Sequence, residues 1–248
     1  MAKGERKKLE RFPRYKHTSS VLLGKKVQLT DPFWYLQTYD EIFSNQIYSF
    51  RAKRSDPLII DCGANIGLST IYFKYIYPKS RIIAFEPDPE IFQVLETNIK
   101  TFQFSDVTLY ERAVWVVETQ LGFQSDGSVG GALVPDEIDK KHMQVKTVRL
   151  KDFLDQEVDF LKMDIEGAEY EVIFDSTDAL NQVDNLFVEY HGKKGKPQKL
   201  HEILQIIWDQ GFRYHLKEAN PVRHPFILGE RKRKYDLQLN IFAYRERD

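Results

Sequence analysis

Three short apolar runs, separated by two helix-patterned segments, set the strongest limit on what this chain can fold into. The runs are Leu58-Ile59-Ile60-Asp61, Arg81-Ile82-Ile83-Ala84-Phe85 and Val107 to Tyr110. Between the first two, Ile66 to Tyr77 reads as a helix that stops before Pro78, because a residue preceding proline is pushed out of helical geometry. Glu90 to Thr101 reads as a second helix, with Ile91, Val94, Leu95 and Ile99 on one face. Strands alternating with helices of this length predict an α/β domain with a parallel sheet and helices on both of its faces.

The alternation pauses and then resumes. Val114 to Val148, broken by Gly127, Gly130 and Gly131, predicts a β-rich excursion. Val158 to Asp164 reads as a fourth core strand, followed by a helix through Phe174, and Leu186 to Glu189 as a fifth. Pro197 to Gln210 is an amphipathic helix closed by Gly211, and Phe212 to Leu216 and Leu237 to Tyr244 are closing strands. Ahead of all this, the first 17 residues are basic and expected to fray. Ile42, Phe43, Ile47 and Phe50 predict a short helix from Asp40 to Phe50. The expected division is residues 1–50 as a basic tail with a helical extension, and 51–248 as the main domain.

A chain of 248 residues is long enough for one large core. Its net charge of -1 gives no global pull toward nucleic acid or an anionic membrane. It has no apolar stretch of about 20 residues, so no membrane span is expected, and no apolar segment behind the basic start resembles a secretory signal. Cys62 is the only cysteine, which excludes an internal disulfide and fits a cytoplasmic setting.

The first strand runs into Asp61-Cys62-Gly63-Ala64-Asn65-Ile66-Gly67-Leu68-Ser69. Ligands of open α/β sheets bind beyond the carboxyl ends of strands, near the point where strand order reverses. Gly63 and Gly67 remove side chains where the backbone must bend, and the helix start behind them favours a carboxylate. A dinucleotide fingerprint needs glycine at the first, third and sixth positions, which here are Gly63, Asn65 and Leu68. Two of the three are absent, which argues against an NAD-dependent oxidoreductase. At the second strand tip, Glu86 can accept both hydroxyls of a ribose, and Glu111-Arg112-Ala113 falls where an adenine would lie.

These residues resemble the FkbM family of methyltransferases. The resemblance runs in order through Ile60 to Gly67, Ala84-Phe85-Glu86-Pro87-Asp88, Leu161-Lys162-Met163-Asp164-Ile165-Glu166-Gly167-Ala168-Glu169 and Val188-Glu189-Tyr190-His191. It covers roughly residues 58–192, and Lys-x-Asp-x-Glu-Gly-x-Glu is its most specific part. Cys62 stands where the family often has a small apolar residue. The resemblance implies a Rossmann-like class I methyltransferase fold with a mostly parallel seven-stranded sheet. It implies S-adenosylmethionine (SAM) as methyl donor and O-methylation of a hydroxyl on a sugar, glycolipid or polyketide-type natural product. Candidate cofactor-binding residues are Asp61, Gly63, Ala64, Asn65, Gly67, Ser69, Glu86, Pro87, Arg112 and Ala113.

A hydroxyl is a poor nucleophile until a base or a metal removes its proton. The fourth strand tip offers Lys162, Asp164 and Glu166, and the fifth offers Glu189 and His191. His191 is the natural base by its ordinary pKa, with Asp164, Lys162 and Glu189 as further catalytic candidates. Asp164, Glu189 and His191 could instead bind Mg²⁺. Lys162 could pair with a carboxylate or hold the substrate oxygen, and Gly167 could let the backbone pass close to a ligand. His215, His224 and the run Arg231-Lys232-Arg233-Lys234 fall on or near a late loop that could line the acceptor pocket. The expected partner is a small-molecule hydroxyl acceptor, with no nucleic acid. An RNA methyltransferase and a non-catalytic binding protein are the competing readings.

Overall fold

The computed structural model describes residues 1–125, 127–128, 130–134, 142–222, 224, 226 and 234–246. The chain opens with α1 (Lys3–Glu10), the hairpin β1 (Thr18–Leu22) and β2 (Lys25–Leu29), and α2 (Pro32–Tyr39), which runs on into a π-helical turn, Asp40–Ser44. Then come β3 (Leu58–Cys62), α3 (Leu68–Ile76), β4 (Arg81–Phe85), α4 (Pro89–Phe102) and β5 (Val107–Tyr110). The excursion holds β6 (Ala113–Trp115), β7 (Gln120–Gln124), β8 (Ala132–Leu133) and β9 (Met143–Arg149). The rest is β10 (Phe160–Met163), α5 (Glu169–Asp175), β11 (Asn185–Lys193), α6 (Leu200–Asp209), β12 (Arg213–Glu218) and β13 (Tyr235–Tyr244).

Seven strands form the main sheet in the order β12-β13-β11-β10-β3-β4-β5. From β11 to β5 every neighbour is parallel, and β13 runs antiparallel to both β11 and β12. Strand order therefore reverses between β3 and β10, which opens a crevice beyond their carboxyl ends. The excursion is a separate four-stranded sheet, β6-β9-β7-β8.

Side-chain alternation along the strands supplies both faces of the core. Ile59, Ile82, Phe160 and Phe187 pack on one side with α3, α4 and the N-terminal elements. Leu58, Ile60, Leu161, Met163 and Val188 pack on the other with Val172 and Ile173 of α5 and Ile203 and Ile207 of α6. Helices thus cover both faces. Tyr48 joins the first group edge-on to Phe187, with ring centroids 4.9 Å apart, a geometry that adds about 0.5–1.5 kcal/mol beyond burial.

Two expectations about the N-terminus need correction. The basic start is not frayed: it forms α1, which buries Leu9, while Glu5 accepts hydrogen bonds from the Ser20 hydroxyl and the Val21 N–H, both at 2.7 Å. The helix expected over residues 40–50 begins earlier and ends at Ser44. Asp31 caps α2 by accepting the Phe33 N–H at 3.0 Å, and Pro32 occupies the first turn, where its missing N–H costs nothing. Among the described residues no helix is long and apolar enough to cross a membrane.

Candidate active site

The crevice is a cleft of about 710 Å³, within the ordinary range of small-molecule sites. Its first end is built by the tips of β3, β4 and β5. Gly63 adopts a left-handed φ of 85°, and a Cβ there would fall 1.9 Å from the Asp164 carbonyl oxygen, so only glycine fits. The Gly63 and Ala64 N–H groups donate to the Phe85 carbonyl at 3.1 and 2.9 Å, which fastens the loop to β4. Asn65, also left-handed, donates its N–H to Glu86 Oε2 at 2.9 Å, and the Asp88 N–H donates to Glu86 Oε1 at 2.9 Å.

Glu86 is 6% exposed, and burial pushes its pKa up to about 8, with the Asp88 charge adding to the rise. Each of its oxygens carries one backbone N–H and keeps a second lone pair for another donor. Capping of α4 falls to Asp88, which accepts the Glu90 and Ile91 N–H groups. Glu86 is therefore not spent on the helix. Ala64, Ser69, Pro87, Arg112 and Ala113 also line the cleft.

Two of the cofactor candidates lie behind the cleft. Asp61 is fully buried and accepts hydrogen bonds from Ser69 Oγ at 2.6 Å and Thr70 Oγ1 at 2.9 Å, which ties the first turn of α3 to β3. Gly67 has φ 93°, and a Cβ there would meet Leu95 Cδ1 at 2.8 Å. Its smallness serves the packing of α4, not a ligand.

The other end is built by the tips of β10 and β11. Lys162, 3% exposed, donates to the Gly63 carbonyl at 2.8 Å and the Cys62 carbonyl at 3.3 Å. Its Nζ lies 3.4 Å from Asp61 Oδ1 and 3.5 Å from Asp164 Oδ2. Burial opposes the ammonium, but the Asp164 and Asp61 carboxylates outweigh it and hold its pKa above the usual value. Lys162 is thus committed to the loop and is not free to hold a substrate oxygen. Asp164 and Glu189 both line the cleft, at 29% and 21% side-chain exposure. Burial and the neighbouring Asp164 charge push the Glu189 pKa up to about 8.

His191 differs most from expectation. Its side chain is 1% exposed, with Nδ1 3.0 Å from Glu169 Oε1 and Nε2 3.6 Å from Glu189 Oε1 and 3.9 Å from Glu166 Oε1. Burial alone would depress its pKa, but Glu169, Glu166 and Glu189 overcome it and push the value up to about 10. The enclosing carboxylates favour the imidazolium at neutral pH, which is at odds with the base role that its ordinary pKa suggested.

Glu169 also accepts the Gly167 N–H at 2.9 Å and the Ile165 N–H at 3.3 Å, and the balance of His191 and these donors over burial keeps its pKa low. Glu166 stands in left-handed geometry, φ 58°, and accepts from Tyr235 Oη and from Lys234 Nζ. The group whose ligand atoms approach within 4.8 Å is Asp164, Glu166 and His191, so Glu166 takes the place expected for Glu189 in a cation site.

A Cβ on Gly167, at φ 98°, would meet the far end of the Lys193 side chain at 2.4 Å. His215 lies on β12 beside Phe242, outside the cleft lining, and Arg231, Lys232 and Arg233 fall outside the described residues. Sequence reasoning missed Tyr235, which lines the cleft and packs on His191 at 4.9 Å between ring centroids. It also missed a wall contributed by residues before 50, where Trp34, Gln37, Thr38 and Glu41 line the cleft.

A sheet of this order, with a glycine bend and an acid at adjacent strand tips, defines the class I SAM-dependent methyltransferase fold. Two solved structures share that fold. They are an FkbM methyltransferase from Methylobacillus flagellatus KT (TM-score 0.50, 17% identity, 85% of this chain and 54% of that one) and M. jannaschii TYW2 in complex with AdoMet (TM-score 0.51, 13% identity, 95% and 89%). The chain belongs to the FkbM family: the methyltransferase FkbM domain matches residues 61–214. Methyltransferase 1 of Beauveria bassiana is 30% identical over 71% of this chain and 85% of its own length. The 2-O-methyltransferase NoeI of Sinorhizobium fredii is 26% identical over 56% and 65%. The protein is a methyltransferase.

Proposed function

We propose that the protein transfers a methyl group from SAM to a hydroxyl of a sugar or a natural product. The observation that carries this reading is the span of the cleft, from buried Glu86 at one end to Asp164 and Glu189 at the other. The lining at the first end suits a nucleoside: Glu86 holds the ribose hydroxyls, the Gly63-Ala64-Asn65 bend leaves room beside them, and Pro87, Arg112 and Ala113 flank the base. Asp61 and Gly67 support that end from behind, while Ser69 and Lys162 reach its wall. SAM supplies a methyl group on a sulfonium, already a good leaving group. What remains for the protein is alignment and removal of one proton.

Glu189 is the base in this reading. It is reachable from the cleft, and its raised pKa lies near working pH, where a general base is most effective. Asp164 orients the acceptor hydroxyl. His191, as a cation held by Glu169, is a positioning residue that fixes the Glu189 carboxylate. The name of the Sinorhizobium relative, a 2-O-methyltransferase, supports oxygen as the acceptor atom.

A divalent cation fits this cluster poorly. It would have to strip the proton from His191, whose Nδ1 is already held by Glu169 and whose charge is favoured by the surrounding carboxylates. The proposed reaction therefore proceeds by base catalysis with no metal ion. Calorimetry with SAM, followed by mass spectrometry of a hydroxylated acceptor panel, tests the reading. One-site binding and a gain of one methylene on an oxygen are expected, and the absence of SAM binding would sink it.

A further inference from the structure

The segment formed by α2 and the π-helical turn carries two stripes. Tyr35, Tyr39, Ile42 and Phe43, at i, i+4, i+7 and i+8, turn toward the core, where Tyr39 stacks on Phe43 and Phe43 meets Tyr72 edge-on, each at 5.4 Å. Trp34, Gln37, Thr38 and Glu41, at i, i+3, i+4 and i+7, all line the cleft. A polar helix stripe usually faces bulk water. This one lines the cleft at its rim, with Trp34 and Thr38 half-buried and Gln37 and Glu41 exposed.

Glu41 lies at short electrostatic range of the Asp164 and Glu189 carboxylates. Desolvation in the cleft, then the Asp164 charge, raises the Glu41 pKa, and Glu41 adds to the rise at Glu189. The π turn that carries Glu41 closes through the Asn45 N–H to the Asp40 carbonyl at 2.8 Å, and such turns are frequent at functional sites.

The stripe also falls outside the part of the chain that defines the family. The matched domain, 61–214, supplies the nucleoside end, whereas residues 30–48 and 218–238 contribute lining beyond both of its limits. Among the described residues at this end, Glu41, Asp164, Glu166, Glu189, Glu218 and Asp236 line the cleft against Lys162, which is held by the Gly63 carbonyl beside Asp61 and Asp164, and Lys234, whose Nζ is engaged by the Gly130 carbonyl and Glu166.

We propose that Trp34, Gln37, Thr38 and Glu41 form the acceptor-selecting wall, which admits an uncharged or cationic polyhydroxylated ring and rejects an anionic one. The inference rests on the methyl-transfer reading of the same cleft. Trp34, which meets Phe33 edge-on at 5.2 Å and has the Arg14 guanidinium 5.9 Å from its ring, offers its remaining face to a ring or a cation. Gln37 and Thr38 offer an amide and a hydroxyl that both donate and accept, which suits ring hydroxyls. A carboxylate or phosphate on the ring would meet like charge from at least three side chains, worth about 100-fold in affinity.

Saturation-transfer NMR on the full chain, with S-adenosylhomocysteine bound, tests this using methyl glucoside, glucosamine and glucuronate as probes. Methyl glucoside and glucosamine give signal, and glucuronate binds at least about tenfold more weakly. Trp34→Ala abolishes the ring signal, Glu41→Lys admits glucuronate, and Trp208→Ala, on the exposed face of α6, changes nothing. Thermal melts check that each variant is folded. Equal binding of glucuronate and methyl glucoside, a signal that survives Trp34→Ala, or no ring signal at all would overturn the wall. Those outcomes count with the heat of S-adenosylhomocysteine binding intact. Loss of that heat in the parent protein would instead sink the methyl-transfer reading.

Discussion

The two ends of the cleft solve opposite problems. The end under β3, β4 and β5 is built from backbone and one buried acid, Glu86, whose oxygens are each held by a single N–H. The end under β10, β11 and β13 gathers Asp164, Glu166, Glu169 and Glu189 around one imidazolium. In the proposed reading the first end holds a fixed cofactor, and its geometry follows from chain direction and glycine. The second end, in that reading, moves a proton, and its chemistry follows from which charges face which. Function at the second end is therefore set by pairing, which no single residue reveals.

The largest expected effect lies at the second end. Glu189→Gln removes the proposed base and lowers turnover by about 10²–10⁴-fold, with SAM affinity unchanged by calorimetry. Near-parental turnover would move the base elsewhere, with Asp164 the next to test. His191→Ala leaves the surrounding carboxylates without their cation and destabilises the fold by about 3–5 kcal/mol near neutral pH. The sign of its pH dependence is fixed by the raised pKa. The imidazolium contributes fully below about pH 6.5, and its contribution is lost as pH rises through about 10. Urea melts of parent and variant should therefore converge between those values. A constant gap would mean that His191 acts by packing alone.

Smaller effects sharpen the first end. Glu86→Ala weakens SAM binding by about 10-fold, the loss of two hydrogen bonds worth about 0.5–1.5 kcal/mol each. A comparable loss from Asp88→Ala would show that loop shape, not the carboxylate, binds the ribose. Last comes an expected null: EDTA leaves the transfer rate unchanged, and abolition with recovery on Mg²⁺ would install a cation at Asp164, Glu166 and His191.

The same division governed what could be read from sequence. The succession of core strands and helices, the glycine bend and the place of Glu86 at a strand tip were legible because each depends on local rules: apolar periodicity, a glycine at positive φ and the position of a strand end. Asp61 and Gly67 were seen in the right loop, but their partners, Ser69 and Leu95, come from helices whose packing is not local. The His191 charge state was illegible because Glu169 lies 22 residues away and meets it only in the fold. The cleft wall before residue 50 did leave a signal, the Asp31-Pro32 helix start followed by Trp34, Gln37, Thr38 and Glu41. It was overshadowed by the apolar residues of 42–50, which predicted a later helix.

Lys162 carries a consequence for how such an enzyme can diversify. One ammonium on β10 grips two carbonyls of the β3 loop while touching carboxylates on both strands. Gly63 abuts the backbone of Asp164 from the other side. The two ends are locked together, so remodelling the β10 tip for a new acceptor would distort the nucleoside seat as well. Change without that penalty is open to the outer segments, residues 30–48 and 218–238, which contribute cleft lining beyond the matched domain, so a new acceptor wall there would leave the loop grip intact.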